Sequence, residues 1–384
     1  VGQNQEASAA LGKAGELKSG VAPWHNTLGN LYAEQERYQL ALEQYLRAAE
    51  LAPEEPEYLR NAALAYAKMG NDEQAAALLE RAIQLQPDNP RWCSELGDIY
   101  RRQGQHRRAR DMYQRASELA PEEAAYLLNL GVVAVELGEV AEALAKFNKA
   151  IALRGDYTPA YERLGDLYES EERWAEALAT YQRGSTLEPN NAFYHYKMGV
   201  ICKRMAQHHE ATEHLEKALE LQPKMTEAYG QIGEIYEAQQ RYDEALQAYQ
   251  QAIVVEPHEA AHHGQIGRLC RQLGHLDKAI AHFRQMIQLQ PNNAVAHYEL
   301  GKAHELQNQY DEALDAYLEA AKQDPDTAEY YYNAGIMYKQ LKQYPEAVEM
   351  LRKAVTLQPN NANAYKQWAA VTALAFLGRQ RKSG

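Results

Sequence analysis

The chain has 384 residues with 40 Lys+Arg against 53 Asp+Glu, a formal net charge of −13. That balance argues against nucleic acid as a partner, because proteins that grip phosphates carry a basic excess. No apolar run reaches the roughly 18 residues of a membrane-spanning helix. Cysteines at 93, 202 and 270 match neither a disulfide framework nor a metal pattern, which suits a reducing compartment and favours the cytoplasm.

Residues 6–19 read Glu6-Ala7-x3-Leu11-x2-Ala14-x2-Leu17-x-Ser19, the second helix of a decayed unit weakened by Gly12 and Gly15. A partial repeat or leader is expected over residues 1–21. The missing first helix and the initial Val point to a segment of a longer protein, with a frayed amphipathic leader as the alternative.

A strict period begins at residue 22. Pro53, Pro87, Pro121, Pro189, Pro223, Pro257, Pro291, Pro325 and Pro359 recur every 34 residues, with Gly155 in the one missing beat. Placing the proline at position 32 gives ten units starting at 22, 56, 90, 124, 158, 192, 226, 260, 294 and 328, which fill residues 22–361 without an insertion. A fixed period of this size means stacked supersecondary units. Position 20 is Ala in all ten; position 8 is Gly except at Ala63; position 27 is Ala except at Gly184 and Met286. Position 24 is Tyr, Phe or Leu. Small residues at 8, 20 and 27 let two helices approach, and bulky ones at 4, 7, 11 and 24 fill the space between them. Each unit therefore predicts helix A at about positions 2–15 and helix B at about 18–31, stopped by proline.

Tyr229-x2-Ile232-Gly233-x2-Tyr236…Ala245-x3-Tyr249-x2-Ala252…Pro257 resembles the tetratricopeptide repeat (TPR). The resemblance implies an all-α, right-handed α-solenoid, a superhelix of stacked helix-turn-helix units that wraps past one full turn. It also implies that positions 2, 5, 9, 12 and 13 of helix A line a concave groove. Those columns hold an apolar stripe, Leu128, Val132 and Val135, in repeat 4. Repeat 6 holds Phe193, Tyr196, Val200, Lys203 and Arg204, an apolar patch beside two cations. Acidic columns in repeats 5 and 7 separate these from Arg268 and Arg271 in repeat 8 and from Tyr298, Lys302, Tyr332, Ile336 and Lys339 in repeats 9 and 10. Aromatics beside Arg and Lys anchor protein interfaces, so the expected partners are proteins presenting extended or helical segments of mixed charge.

A carboxylate clamp of the chaperone-adaptor type is not expected. Repeats 1–3 supply Asn30, Asn61 and Arg91 but place Asn26 and Glu95 where two cations belong. Glycine-rich phosphate loops, G-x-S-x-G and H-E-x-x-H are absent, so neither catalytic residues nor a cofactor are expected. His208-His209-x4-His214 and His258-x3-His262-His263 have helix-face spacing for a metal, yet His25, His195, His263 and His297 share position 4, which reads as core. Repeat 3 concentrates Arg101, Arg102, His106, Arg107, Arg108, Arg110 and Arg115, either a contact for an acidic partner or a solvated loop. Residues 362–384 continue as a helix and a basic tail with Arg379, Arg381 and Lys382. Val371, Leu374, Phe376 and Leu377 make that helix too apolar for a clean cap, so an adjoining domain, a partner or a second copy should pack there.

Two alternatives to a plain interaction scaffold follow. One is the substrate-recruiting array of a larger enzyme, because long uninterrupted arrays resemble those of O-linked N-acetylglucosamine transferases. Their Asn ladder at position 6 is present here only at Asn61, Asn129 and Asn333. The other is self-assembly through the chain ends.

Overall fold

The computed structural model describes residues 21–383, with side chains as far as Leu377; the decayed helix expected over residues 6–19 and the basic side chains of the tail lie outside the described residues. Among the described residues there are 21 helices and no strand. Each repeat holds helix A at positions 1–13, as in Ala22–Glu34, and helix B at positions 17–30, as in Tyr38–Leu51. Helix A thus ends two residues earlier than the periodicity predicts. The cause is position 15, which is left-handed in all ten repeats. Gly70, Gly104, Gly138 and Gly274 occupy it in four, and Glu36, Glu172, Ala206, Gln240, Asn308 and Lys342 occupy it at φ between 56° and 61° in the rest. The turn is closed by a bond from position 16 back to position 11, for example Arg173 N–H to the Tyr168 carbonyl at 2.8 Å.

Packing explains the small-residue columns. The position-20 alanines, from Ala41 to Ala347, are fully buried. A Cβ at the position-8 glycines would fall 2.3–2.7 Å from the position-24 side chain, as at Gly233 beneath Tyr249. The exception at Gly184 in position 27 has the same origin, since a Cβ there would meet the Tyr194 ring at 2.3 Å. Ala143→Leu should therefore destabilise the first unit by about 1–3 kcal/mol through overpacking. A urea midpoint equal to that of the unaltered chain would refute this.

The described residues form two compact units, one ending at Lys197 and one beginning at Met198, so the division falls inside helix A of repeat 6, Ala192–Arg204. Within each unit, consecutive helices pack against one another and bury a succession of apolar clusters. Between the adjacent helix A positions 3 and 4, position 3 is the more often buried: Tyr58, Trp92, Ala160, Tyr194, Ala228, His262, Ala296 and Tyr330 all lie in the core.

Candidate functional site

What the groove columns can offer is decided from helix B. Tyr45, Tyr113, Tyr181, Tyr249 and Tyr317, at position 24 of the odd-numbered repeats, are buried rings. Their hydroxyls cross helix A and emerge at columns 9 and 12. Tyr45 donates to Asn30 Oδ1 at 2.8 Å, Tyr113 to Asp98 at 2.6 Å, and Tyr181 to Asp166 at 2.8 Å and Glu169 at 3.2 Å. Tyr249 donates to Glu237 at 2.5 Å and Tyr317 to Glu305 at 2.6 Å. Even-numbered repeats instead carry Leu79, Phe147, Leu215, Phe283 and Leu351 at position 24. Their columns 9 and 12 hold Leu64 and Ala67, Val132 and Val135, Val200 and Lys203, Arg268 and Arg271, Ile336 and Lys339, none of which could accept from a phenol. The unit of the surface is therefore two repeats, or 68 residues. Reading columns singly misses it; comparing columns 9 and 12 with column 24 across the repeats would have exposed it.

Electrostatics follow from this geometry. Burial raises the phenol pKa of Tyr45 to about 12, and burial likewise drives Tyr113, Tyr181, Tyr249 and Tyr317 far above the usual phenol range. Burial also raises the Asp98 carboxyl, partly offset by its bond from Tyr113. Desolvation pushes the Lys197 ammonium down, but contacts of 2.9 Å each to Asp166 and Glu169 more than reverse it and leave its pKa raised.

In the first unit, Leu128 and Val132 are half-buried against Phe147, Leu164 and Leu167, while Val135 stays 43% exposed. Val132, Val135, Phe147 and Leu167 line a cavity of about 350 Å³ together with Arg101, Glu136, Arg163, Asp166 and Ser170. Phe193 is not the exposed patch expected from the sequence. It is half-buried, edge-on to Tyr181 at 6.1 Å and Tyr194 at 5.5 Å, with Lys197 5.7 Å from its ring. Tyr196 is half-buried as well. A larger cavity, about 640 Å³, opens between repeats 1 and 3 among Asn30, Tyr45, Arg60, Leu64 and Arg91. Sequence reading passed over it after setting the clamp aside. The clamp-like residues are committed internally: Asn61 donates to Asn26 at 2.9 Å, Asn30 accepts from Tyr45, and Arg60 pairs with Glu95 through Nε at 2.9 Å.

In the second unit, several cations expected at the groove are already engaged. Lys203 pairs with Glu234 and donates to Gln231 at 2.7 Å, and Arg271 pairs with Glu299 at 2.9 Å. Tyr298, expected as a groove side chain, is only 9% exposed, packs 5.2 Å from Tyr330 and donates to Glu329. Lys302 lies 4.6 Å over the Tyr298 ring, and Lys339 donates to Gln367 at 2.9 Å. Val200, Tyr332 and Ile336 are half-buried. Arg204 and Arg268 are exposed.

The remaining candidates resolve locally. The repeat 3 arginines are largely spent on neighbours: Arg101 on Glu136 at 3.1 Å, Arg102 on Asp72 at 2.6 Å, Arg108 on Glu80 at 2.8 Å and Arg110 on Glu139 at 3.2 Å. Arg115 donates to the Pro87 carbonyl at 2.8 Å. The position-4 histidines are half-buried with polar contacts instead of core residues; His25 meets Gln44 at 2.8 Å and His263 meets His282 at 3.2 Å. The buried histidines are His262 and His304, at positions 3 and 11. No group of three or more His, Cys, Asp or Glu among the described residues is placed to hold a metal. Cys93, Cys202 and Cys270 are buried free thiols. No described helix is long and apolar enough to cross a membrane. On the final helix, Ala362–Ser383, Val371 is buried beside Ala347 and Leu351, whereas Leu374, Phe376 and Leu377 are exposed.

Comparison with curated proteins returns no match. Among solved structures, YrrB, described as a TPR protein with an unusual peptide-binding site, is 24% identical over 48% of this chain and 96% of its own, with a TM-score of 0.42. MamA is 28% identical over 42% of this chain and 94% of its own, with a TM-score of 0.40. Yeast Tom70 is 15% identical over 98% of this chain and 93% of its own, with a TM-score of 0.45. Profiles described as tetratricopeptide repeat match residues 26–90, 94–158, 160–192, 194–225, 226–259 and 292–360, and one described as TPR repeat matches 267–308. Those matches follow one another along nearly the whole helical array, whose Gly, Ala and aromatic columns pack as the repeat requires, and the chain belongs to the tetratricopeptide repeat family, an all-α solenoid of stacked helix-turn-helix units.

Proposed function

We propose that this protein is a non-catalytic interaction scaffold, which assembles a complex by holding extended or helical segments of other proteins against the helix A faces of its repeats. The observation that carries this reading is the cavity of repeats 3–5. It is lined by apolar Val132, Val135, Phe147 and Leu167 together with polar Arg101, Glu136, Arg163, Asp166 and Ser170, and Val135 is exposed in it. A cavity that joins apolar side chains to polar ones suits an anchor site for one bulky partner side chain. Affinity selection of a displayed random-peptide library on the full chain tests it. Peptides with a bulky apolar anchor should be recovered, and Val132→Asp with Val135→Asp should weaken those bound to the first unit at least about tenfold, since burying an unpaired carboxylate costs several kcal/mol. Val135→Asp alone, at an exposed position that should leave helix content the same, separates lost binding from lost packing at half-buried Val132. Recovery of no peptide, or equal binding by the double variant, would remove the reading.

A further inference from the structure

Each unit carries a cleft that the groove does not use. In the second unit a cleft of about 450 Å³ lies among helix B of repeat 6, His208–Leu221, and both helices of repeat 7, Thr226–Ala238 and Tyr242–Val255. Leu219 and Ile232 give it apolar lining, Tyr229 and Tyr236 give it rings, and Glu216 and Glu244 give it charge. Its helix A residues stand at positions 4, 7 and 11, none of which is a groove column. A smaller cleft of about 240 Å³ in the first unit is lined by Asn148, Tyr161, Tyr168 and Glu176, the residues 68 positions earlier. The register repeats but the charge does not. Helices B of repeats 4 and 5 hold Glu142 and Glu176 against Lys146, Lys149 and Arg183. Those of repeats 6 and 7 hold Glu210, Glu213, Glu216, Glu220, Asp243 and Glu244 against Lys217 alone. With Lys224 and Arg241 of the flanking turns included, acids still outnumber cations six to three.

We propose that the cleft between repeats 6 and 7 binds a basic polypeptide segment, which lays an arginine against Tyr229 and Glu216. This goes beyond the scaffold reading, because it adds a second interaction surface that needs nothing from the groove. The chain itself shows how such a surface holds a guanidinium: Arg241 lies 4.4 Å over the Tyr236 ring and pairs with Glu244 at 3.0 Å. Arg173, Tyr168 and Glu176 repeat that arrangement in the first unit. Tyr229 and Glu216 line the same cleft, yet neither forms a hydrogen bond or ion pair among the described residues. Their first-unit counterparts are taken, Asn148 by the Leu144 carbonyl at 2.8 Å and Tyr161 by the Gly155 carbonyl at 3.0 Å. Arginine suits the vacant ring and carboxylate better than lysine, because its planar guanidinium stacks on an aromatic face while its edge pairs with the acid. Acidic walls on both sides favour further cations next to that anchor.

A fluorescein-labelled peptide of about 12 residues, with several arginines among alanines, is titrated with the full chain and followed by anisotropy. The salt is about 150 mM, where exposed charges are screened beyond about 8 Å. Glu216→Lys should weaken binding at least about tenfold, and Tyr229→Leu about two- to fivefold. Helix content should not change for Glu216→Lys, because Glu216 is exposed. Glu142→Lys makes the same change in net charge on helix B of repeat 4 and should alter binding less than about twofold. Val132→Asp with Val135→Asp should likewise leave it unchanged. A lysine version of the peptide should bind more weakly, since an ammonium does not stack. Equal weakening by Glu142→Lys and Glu216→Lys would reveal attraction to an acidic chain without a site. That result, no binding of the arginine peptide, indifference to Tyr229→Leu, or equal affinity for the lysine peptide would each overturn the proposal. None of these outcomes bears on the groove, whose own test uses Val132 and Val135.

Discussion

Replacing Tyr181 by Ala is expected to cost the first unit about 3–5 kcal/mol, the range for truncating a large buried aromatic. The ring is fully buried over Gly165, where even one added carbon would lie 2.4 Å from Cε1, so nothing nearby can expand into the space it leaves. Phe193 loses one of its two edge-on partners at the same time and keeps Tyr194. The hydroxyl's share is separable. Tyr181→Phe keeps the ring and removes only the bonds to Asp166 and Glu169, while Lys197 still reaches each carboxylate at 2.9 Å. A cost of about 1–2 kcal/mol is expected for Phe, at the lower end for hydrogen bonds to charged groups. Because each repeat is stabilised chiefly by its neighbours, the Ala variant should also loosen the interfaces on both sides of repeat 5. Urea melts followed by far-UV circular dichroism compare the three chains. If the Ala and Phe variants melt together, the ring is not the keystone proposed.

The division between what could and could not be read from sequence follows from range. Proline spacing and the columns at 8, 20 and 27 report packing inside one repeat, and a single chain holding ten copies displays them plainly. Helix A ends were misjudged because Glu36, Glu172 and Lys342 take the left-handed position that only glycine advertises. Groove charges were misjudged for a different reason. Lys203 and Glu234 stand 31 residues apart, and both they and the pair Arg271 and Glu299 belong to different repeats. Whether a cation is spent depends on its neighbour's column, which no single unit reveals. The same holds for repeat 3, where a dense run of arginines looks like a binding patch until Asp72, Glu80, Glu136 and Glu139 take it up. Tyrosine supplies the sharpest case. At position 24 of the odd-numbered repeats its hydroxyl tethers Asn30, Asp98, Asp166, Glu237 and Glu305, a link between columns that neither column shows alone.

Raising the pH past 10 is expected to unfold this protein sooner than its helical fold alone would suggest, through those same tyrosines. Burial holds the Tyr45 phenol at about 12 against an ordinary 10.0, and Tyr100, Tyr113, Tyr181, Tyr249 and Tyr317 are raised in the same direction, chiefly by burial. A phenol whose folded pKa is raised contributes stability in full below the unfolded pKa. That contribution falls once the unfolded chain can ionise and is gone when the pH has passed the folded value. The window therefore opens at 10.0 and reaches about 12 for Tyr45. Two pKa units correspond to about 2.7 kcal/mol, an upper bound that solvent screening reduces where a hydroxyl reaches the groove edge. Several such residues acting together become comparable to the stability of an ordinary domain, about 5–15 kcal/mol. Raised Lys197 has the same sign, since its ion pairs are lost as the ammonium deprotonates. Tyrosinate absorbance and helix content measured together over pH 9–13 check the argument. The buried phenols should ionise late and in step with the loss of helix, and Tyr→Phe at 45, 113, 181, 249 and 317 should move the alkaline midpoint upward. Full ionisation near pH 10 with the helices intact would show that these hydroxyls are solvated, and the coupling between core and groove would fall with them.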